Sequence, residues 1–223
     1  MRKITKPLEL ATKYKEWHDK LEQDKHPKYN SSNNEHYYSV VANLFWLQAG
    51  LCAYTEMLLI NKELVSPEKW KDGVFQRFEF RGQLDHFDPT LKTNNGWLWS
   101  NFLMADTDIN TKDKRANKIH LLKPDASDFD PNHYLSYDID EAMFFPNINR
   151  NDAQRKMILD DIDNLGINHS SIVHYRKLRL NPLLKDIQFR KKTNEEAKQE
   201  LYDFYTAYEM AVVQVLAMNN KPQ

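Results

Sequence analysis

Residues 83–110 read QLDHFDPTLKTNNGWLWSNFLMADTDIN, and what this stretch folds into decides what the chain is built around. A polar segment, FDPTLKTNN, separates QLDH from the aromatic and apolar GWLWSNFLM. Just upstream, VFQRFEF (74–80) alternates apolar and polar residues with the period of a strand. Two short strands flanking a polar loop are therefore expected between Val74 and Leu103, forming a β-hairpin. DTDINTKDKRANK follows, with acids at its start and bases toward its end, the order a helix dipole favours; it reads as a short exposed helix. Asp85, His86, Asn101 and Asn110 are the polar residues this frame carries. With Asp85 and His86 ending the first strand and Asn110 in the first turn of the helix, carboxylate and amide oxygens can converge on one hard cation. His86, turned the other way by strand alternation, would face a substrate, and a neutral imidazole can take a proton from water.

Composition narrows the alternatives. A chain of 223 residues with 41% hydrophobic and 12% aromatic residues can bury a real core, and one compact unit is expected. No apolar run approaches the roughly 20 residues of a membrane helix, and MRKITKPLEL lacks the apolar stretch that follows the basic residues of a signal peptide. Cys52 is the single cysteine, which excludes an internal disulfide and a multi-thiolate zinc site and suits a reducing cytoplasm. The five glycines spell neither a P-loop nor a dinucleotide fingerprint. Lys and Arg (31) nearly cancel Asp and Glu (32), so no global positive field draws nucleic acid to the chain.

Elsewhere the periodicity is mostly helical. Leu10, Tyr14, Trp17 and Leu21 mark an N-terminal helix, and Val41, Leu44, Phe45 and Gln48 a second over 37–49, stopped by Gly50. Pro124, Pro131 and Pro146 break 123–149 into loops, with YLSYDID (134–140) a candidate strand. Helices are expected over 152–165, ended by Gly166, and over 170–179. Thr193 and Glu196 form a capping box before Ala197, Leu201, Phe204, Tyr205, Tyr208, Val212, Val215 and Leu216, which reads as one long amphipathic helix.

The stretch 83–110 resembles the HNH, or ββα-metal, nuclease motif, in which an Asp-His pair on the first strand is followed by an Asn that organises the hairpin and an Asn or His on the helix that completes the metal site. The matching residues are Asp85, His86, Asn101 and Asn110. QAGLCAYTE (48–56) resembles the family's GGLCAYCE segment, KIHLLKPDASDFDPNHYLSYD (118–138) its proline-containing strand region, and LGINHSSIVHYRK (165–177) a stretch of the Septu- and retron-associated antiphage subfamily. The resemblance spans roughly residues 44–180. It implies an α+β, mainly helical fold, with a small ββα-metal hairpin-helix core embedded in helices. It divides the chain into an N-terminal helical arm (1–43), the nuclease core (44–125) and a C-terminal helical region (126–223).

The activity so implied is metal-dependent cleavage of DNA phosphodiesters in the cytoplasm, within a defence system whose ATPase is a separate subunit. His86 would be the base, Asn101 the residue holding its loop, and Asp85 and Asn110 the ligands of a divalent metal, Mg²⁺ first and Mn²⁺ or Ni²⁺ as alternatives. Lys112, Lys114 and Arg115 would contact phosphates. Relatives carry two Cys pairs for a structural zinc; Cys52, Thr55, Asp106 and Ile109 stand at those places, so no zinc is expected and packing of Trp97, Trp99, Phe102 and Ile109 would substitute. Two further readings are set aside: DTDIN as a calcium loop fails because Thr111 and Asn117 replace the required Gly and Glu, and Glu56 as a residue reaching the site from the preceding segment gives way to a plain surface acid. The alternative function is a catalytically degenerate scaffold or binding subunit of the same fold.

Overall fold

A computed structural model describes residues 1–23, 25–30, 34–114 and 116–219. The chain is α+β and mainly helical, with two separate two-stranded antiparallel sheets. It divides into two compact units: Ile4–Ala53 with Leu58–Ile119, and His120–Gln223 with the short segments Met1–Lys3 and Tyr54–Met57. The expected three-part organisation in one compact unit thus becomes two units, the N-terminal arm belonging with the hairpin.

In the hairpin unit, α2 (Tyr37–Leu47) packs on a sheet of β1 (Gln83–His86) and β2 (Phe102–Ala105), and α1 (Thr12–His18) on the loop that joins the two strands. The register pairs Gln83 with Ala105, Asp85 with Leu103 and His86 with Phe102. Every residue of β2 is buried, so its inner face needs polar partners as well as apolar ones. Gln48, at the end of α2, supplies them: its side chain accepts from the Met104 N–H and donates to the Met104 and Leu51 carbonyls, all at 2.8–2.9 Å. Val40, Val41, Leu44 and Phe45 of α2 are fully buried. Tyr14 of α1 donates to the Trp97 carbonyl at 2.5 Å, and Trp17 meets the buried Trp97 edge-on at 5.8 Å. Gly50 stops α2 at φ +77°, and a Cβ there would lie 2.1 Å from the Ile60 carbonyl oxygen, so the turn has no room for a side chain.

Two expectations shift. VFQRFEF does not form a strand, since the hairpin begins only at Gln83; its phenylalanines instead pack on one another, Phe75 and Phe78 edge-on with centroids 5.2 Å apart and Phe78 and Phe80 tilted at 5.1 Å. The helix after β2 closes as a π-helical turn over Ile109–Lys114, and it buries both of those residues rather than lying exposed.

The other unit packs α4 (Asp152–Asn164) and α5 (Ser170–Gln188) with α6 (Asn194–Gln199), α7 (Tyr205–Asn219) and the ribbon of β3 (Leu135–Asp138) and β4 (Met143–Pro146), with one helical turn, α3 (Pro131–Tyr134), leading into β3. In β3, Leu135 and Tyr137 are buried while Ser136 and Asp138 are exposed, the alternation expected of a half-buried strand. Helix α5 runs past its expected end at Arg179 and accommodates Pro182. Its Arg176 is fully buried and donates to the Ala142 and Ile167 carbonyls at 2.7 Å, beneath the rings of Phe144 and Phe204. From α4, the buried Asp161 carboxylate accepts the N–H groups of His120, Leu121 and Leu122.

The expected long C-terminal helix is two helices. The capping box forms on α6, with the Thr193 side chain bonded to Glu196 N–H and Glu196 returning to Thr193. The chain then breaks, Phe204 takes φ +53°, and α7 restarts with its Thr206 N–H on the Glu56 carboxylate at 2.8 Å. Glu56 is therefore no surface acid: it is 2% exposed and caps a helix.

Candidate active site

The hairpin builds the site at its loop end. After His86 the chain leaves β1 into a loop that must return at Phe102. Asn101 closes that loop at its base: its side chain accepts from the Asp88 N–H at 2.7 Å and donates to the Asp88 carbonyl at 2.9 Å, while its own carbonyl accepts from Phe87 N–H at 2.8 Å. Satisfying both backbone groups of one residue fixes the direction in which the chain leaves His86. Asp88 in turn caps the 3₁₀ turn Pro89–Lys92 through Thr90 N–H at 2.9 Å.

His86 is 6% exposed and sits between Tyr29, edge-on at 4.5 Å, and Phe102 at 5.0 Å. Its Nε2 lies 2.9 Å from the Gly96 carbonyl oxygen. A carbonyl only accepts, so Nε2 carries the hydrogen, and the neutral ring keeps its lone pair on Nδ1. Burial pushes the imidazole below its usual value, and Lys92 and Lys114 add to this, against the opposing pull of the Gly96 bond and Asp85. The ring is neutral at physiological pH and basic at one defined nitrogen. Gly96 is required for this arrangement: a Cβ there would stand 2.7 Å from the Lys92 carbonyl oxygen and 2.9 Å from Tyr29.

A cavity of about 150 Å³ is walled by Tyr29, Gln83, Asp85, His86, Lys92 and Asn110, among others. Asp85, His86 and Asn110 are thus brought to one cavity, and Asn101 stands behind it as the clamp of the loop. Asn110 donates to the Gln83 side-chain oxygen at 3.2 Å. The donors that Asp85, Asn110 and Gln83 offer are oxygens, the kind a hard divalent cation takes, and such an ion completes its shell with water. One observation weighs on the other side. The Lys114 ammonium, fully buried, lies 3.1 Å from Asp85 Oδ1 and 3.0 Å from the His86 carbonyl oxygen. No group of three His, Cys, Asp or Glu side chains placed to hold a metal occurs among the described residues.

The expected phosphate contacts are placed differently. Lys114 is an interior cation, because the π-helical turn swings it inward beneath β1, where the buried Asp85 carboxylate needs a counter-charge. Lys112 is exposed and pairs with Asp108 at 3.0 Å, and Arg115 lies outside the described residues. Lys92, Tyr29 and Gln83 reach the cavity without having been singled out in the sequence. Lys92 follows Asp85-His86 by only six residues, and Tyr29 comes from the polar stretch after α1, which has no periodic signal.

At the places of the zinc cysteines, the Asp106 N–H donates to the Cys52 sulfur at 3.4 Å. The Asp106 side chain accepts from Asp108 N–H at 2.9 Å and meets Arg81 at 3.4 Å. Trp97, Phe102 and Ile109 are buried in this unit.

Comparison with protein-family models and with curated proteins gives no match to this chain.

Proposed function

We propose that the chain is a metal-dependent endonuclease of the HNH type, acting on DNA phosphodiesters as the nuclease subunit of a bacterial antiphage system whose ATPase is a separate chain. The observation that carries this reading is the meeting of Asp85, His86 and Asn110 on one cavity along β1 of a β-hairpin whose loop Asn101 clamps. A neutral His86 with its hydrogen fixed on Nε2 leaves Nδ1 to take a proton from water. Asp85 and Asn110 would hold the divalent cation, which when bound stabilises the charge that builds on the phosphate and the leaving oxygen. Lys92 borders the same cavity and supplies a positive charge for a phosphate beside the cut.

A second reading, that of a catalytically silent scaffold with this fold, is favoured by the Lys114–Asp85 ion pair, which satisfies the carboxylate without any metal. Supercoiled plasmid incubated with the full chain and Mg²⁺, Mn²⁺ or Ni²⁺, with and without a co-expressed ATPase, separates the two. Nicking that needs the metal and falls by at least about 100-fold in His86→Ala supports the nuclease. Nicking that survives this substitution removes His86 as base, and no nicking under any condition selects the scaffold.

A further inference from the structure

The Asp85 carboxylate is 3% exposed, and the Lys114 ammonium that faces it is fully buried. A buried carboxylate needs a compensating cation, and one already stands 3.1 Å from Oδ1, inside the fold and tied also to the His86 carbonyl oxygen. We infer that Lys114 competes with the divalent cation for Asp85 and so sets the metal affinity of the site.

The inference rests on the nuclease reading of Asp85 and Asn110 as metal ligands, and it follows from charge and space. A doubly charged ion at Asp85 beside an ammonium within hydrogen-bond distance of the same carboxylate meets strong like-charge repulsion, and the low polarisability of a buried site does little to screen it. The ammonium must withdraw for the ion to bind at full strength. The π-helical turn that carries Lys114 is a short element of six residues and supplies the segment that would move. Metal occupancy therefore answers to whatever shifts that turn, and a partner or a DNA strand pressing on it would raise the affinity. Lys114 is in this account a positioning residue. Its substitution alters metal binding before it alters chemistry.

Mn²⁺ alone is the probe, titrated into the full-length protein and followed by loss of the free-ion electron paramagnetic resonance signal. Lys114→Met, which keeps the unbranched stem and removes the ammonium, is expected to bind Mn²⁺ at least ~10-fold more tightly than the unmodified chain. Lys114→Gln keeps donors for the Asp85 and His86 oxygens and is expected to shift affinity in the same direction, whereas Lys114→Arg gives no gain. Adding Asp85→Asn to Lys114→Gln should abolish the gain. Lysine acylation of the unmodified protein, mapped by mass spectrometry, gives a reading that needs no variant: Lys114 is protected without Mn²⁺ and becomes labelled at saturating Mn²⁺. Equal Mn²⁺ affinity in all variants, or protection that persists at saturation, overturns the inference and leaves the metal site standing. Absence of Mn²⁺ binding in every folded protein overturns both the inference and the metal reading it rests on.

Discussion

Asn101 shows how much one side chain can fix. Its amide satisfies both the N–H and the C=O of Asp88, and no other natural side chain of its length offers a donor and an acceptor in that geometry. Asn101→Ala leaves two half-buried backbone groups unpaired and is expected to cost about 1–2 kcal/mol in chemical unfolding. Asn101→Asp keeps the acceptor but sets a carboxylate against the Asp88 carbonyl; both variants should lose cleavage beyond what their stability loss explains. His86 makes a second prediction. With its pKa held below the usual value by burial, the imidazole proposed as base is already neutral at neutral pH. Under the proposed mechanism, cleavage at saturating metal should rise through the acid range with a midpoint below the usual imidazole value and gain little from pH 7 to 8. A rate still climbing there would point to a different base. Lys92 makes a third: Lys92→Gln should weaken binding of short duplex DNA and reduce the slope of log affinity against log salt by about 1, while Lys112→Gln, whose partner is Asp108, leaves it unchanged.

At the scale of elements, the sequence was legible where a local signal and the tertiary outcome agree. The capping box at Thr193 and Glu196, the Gly50 and Gly166 stops and a strand within 134–140 all stand where they were expected. Among the candidate site residues, Asp85, His86 and Asn110 line one cavity, as the hairpin-and-helix frame placed them, although alternation along the strand set His86 apart from Asp85. The failures have tertiary causes. VFQRFEF alternates like a strand, yet Phe75, Phe78 and Phe80 pack edge-on and tilted against each other, a tertiary cluster that local alternation does not reveal. The inward turn of Lys114 could not be read from DTDINTKDKRANK, because its cause is a carboxylate 29 residues earlier in the chain. The break between α6 and α7 has the same origin: apolar spacing continues from Ala197 to Leu216, and only Glu56, 150 residues upstream, stops it by capping Thr206. Glu56→Ala should therefore cost about 1–3 kcal/mol, by removing the cap and leaving the buried Thr206 groups unpaired. Circular dichroism should show helix lost from one end of α7 rather than gained by fusion of α6 and α7. A fused, equally stable helix would mean the break is written in the local sequence after all.

For the molecule as a whole, the two units should answer pH in opposite directions, and the reason is which groups each one buries. In the unit of α4–α7, Asp203 is fully buried, and burial raises its carboxyl to about 6, with Arg179 pulling the other way. A folded pKa above the unfolded value means that the native state binds more protons between the two. Stability from this group is therefore complete below pH 4 and is lost as pH rises toward 6, to an extent on the order of 1–3 kcal/mol. In the hairpin unit, His18, His36 and His86 are all held below their usual value by burial. There the unfolded chain binds more protons, so stability is complete above pH 6.5 and is lost as pH falls. The carboxylates held low, such as Glu56, where the upward push of burial is outweighed by the Met1 amine and the Thr206 bonds, act below pH 4.5 and leave the window from 4.5 to 6.5 to these groups. Hydrogen exchange corrected for intrinsic rates should show protection over 152–219 falling across that window while protection over 37–47 and 83–105 rises. Asp203→Asn should flatten the fall without touching the rise. Parallel changes in both units would mean that the buried carboxyl and the buried imidazoles are not what ties this fold to pH.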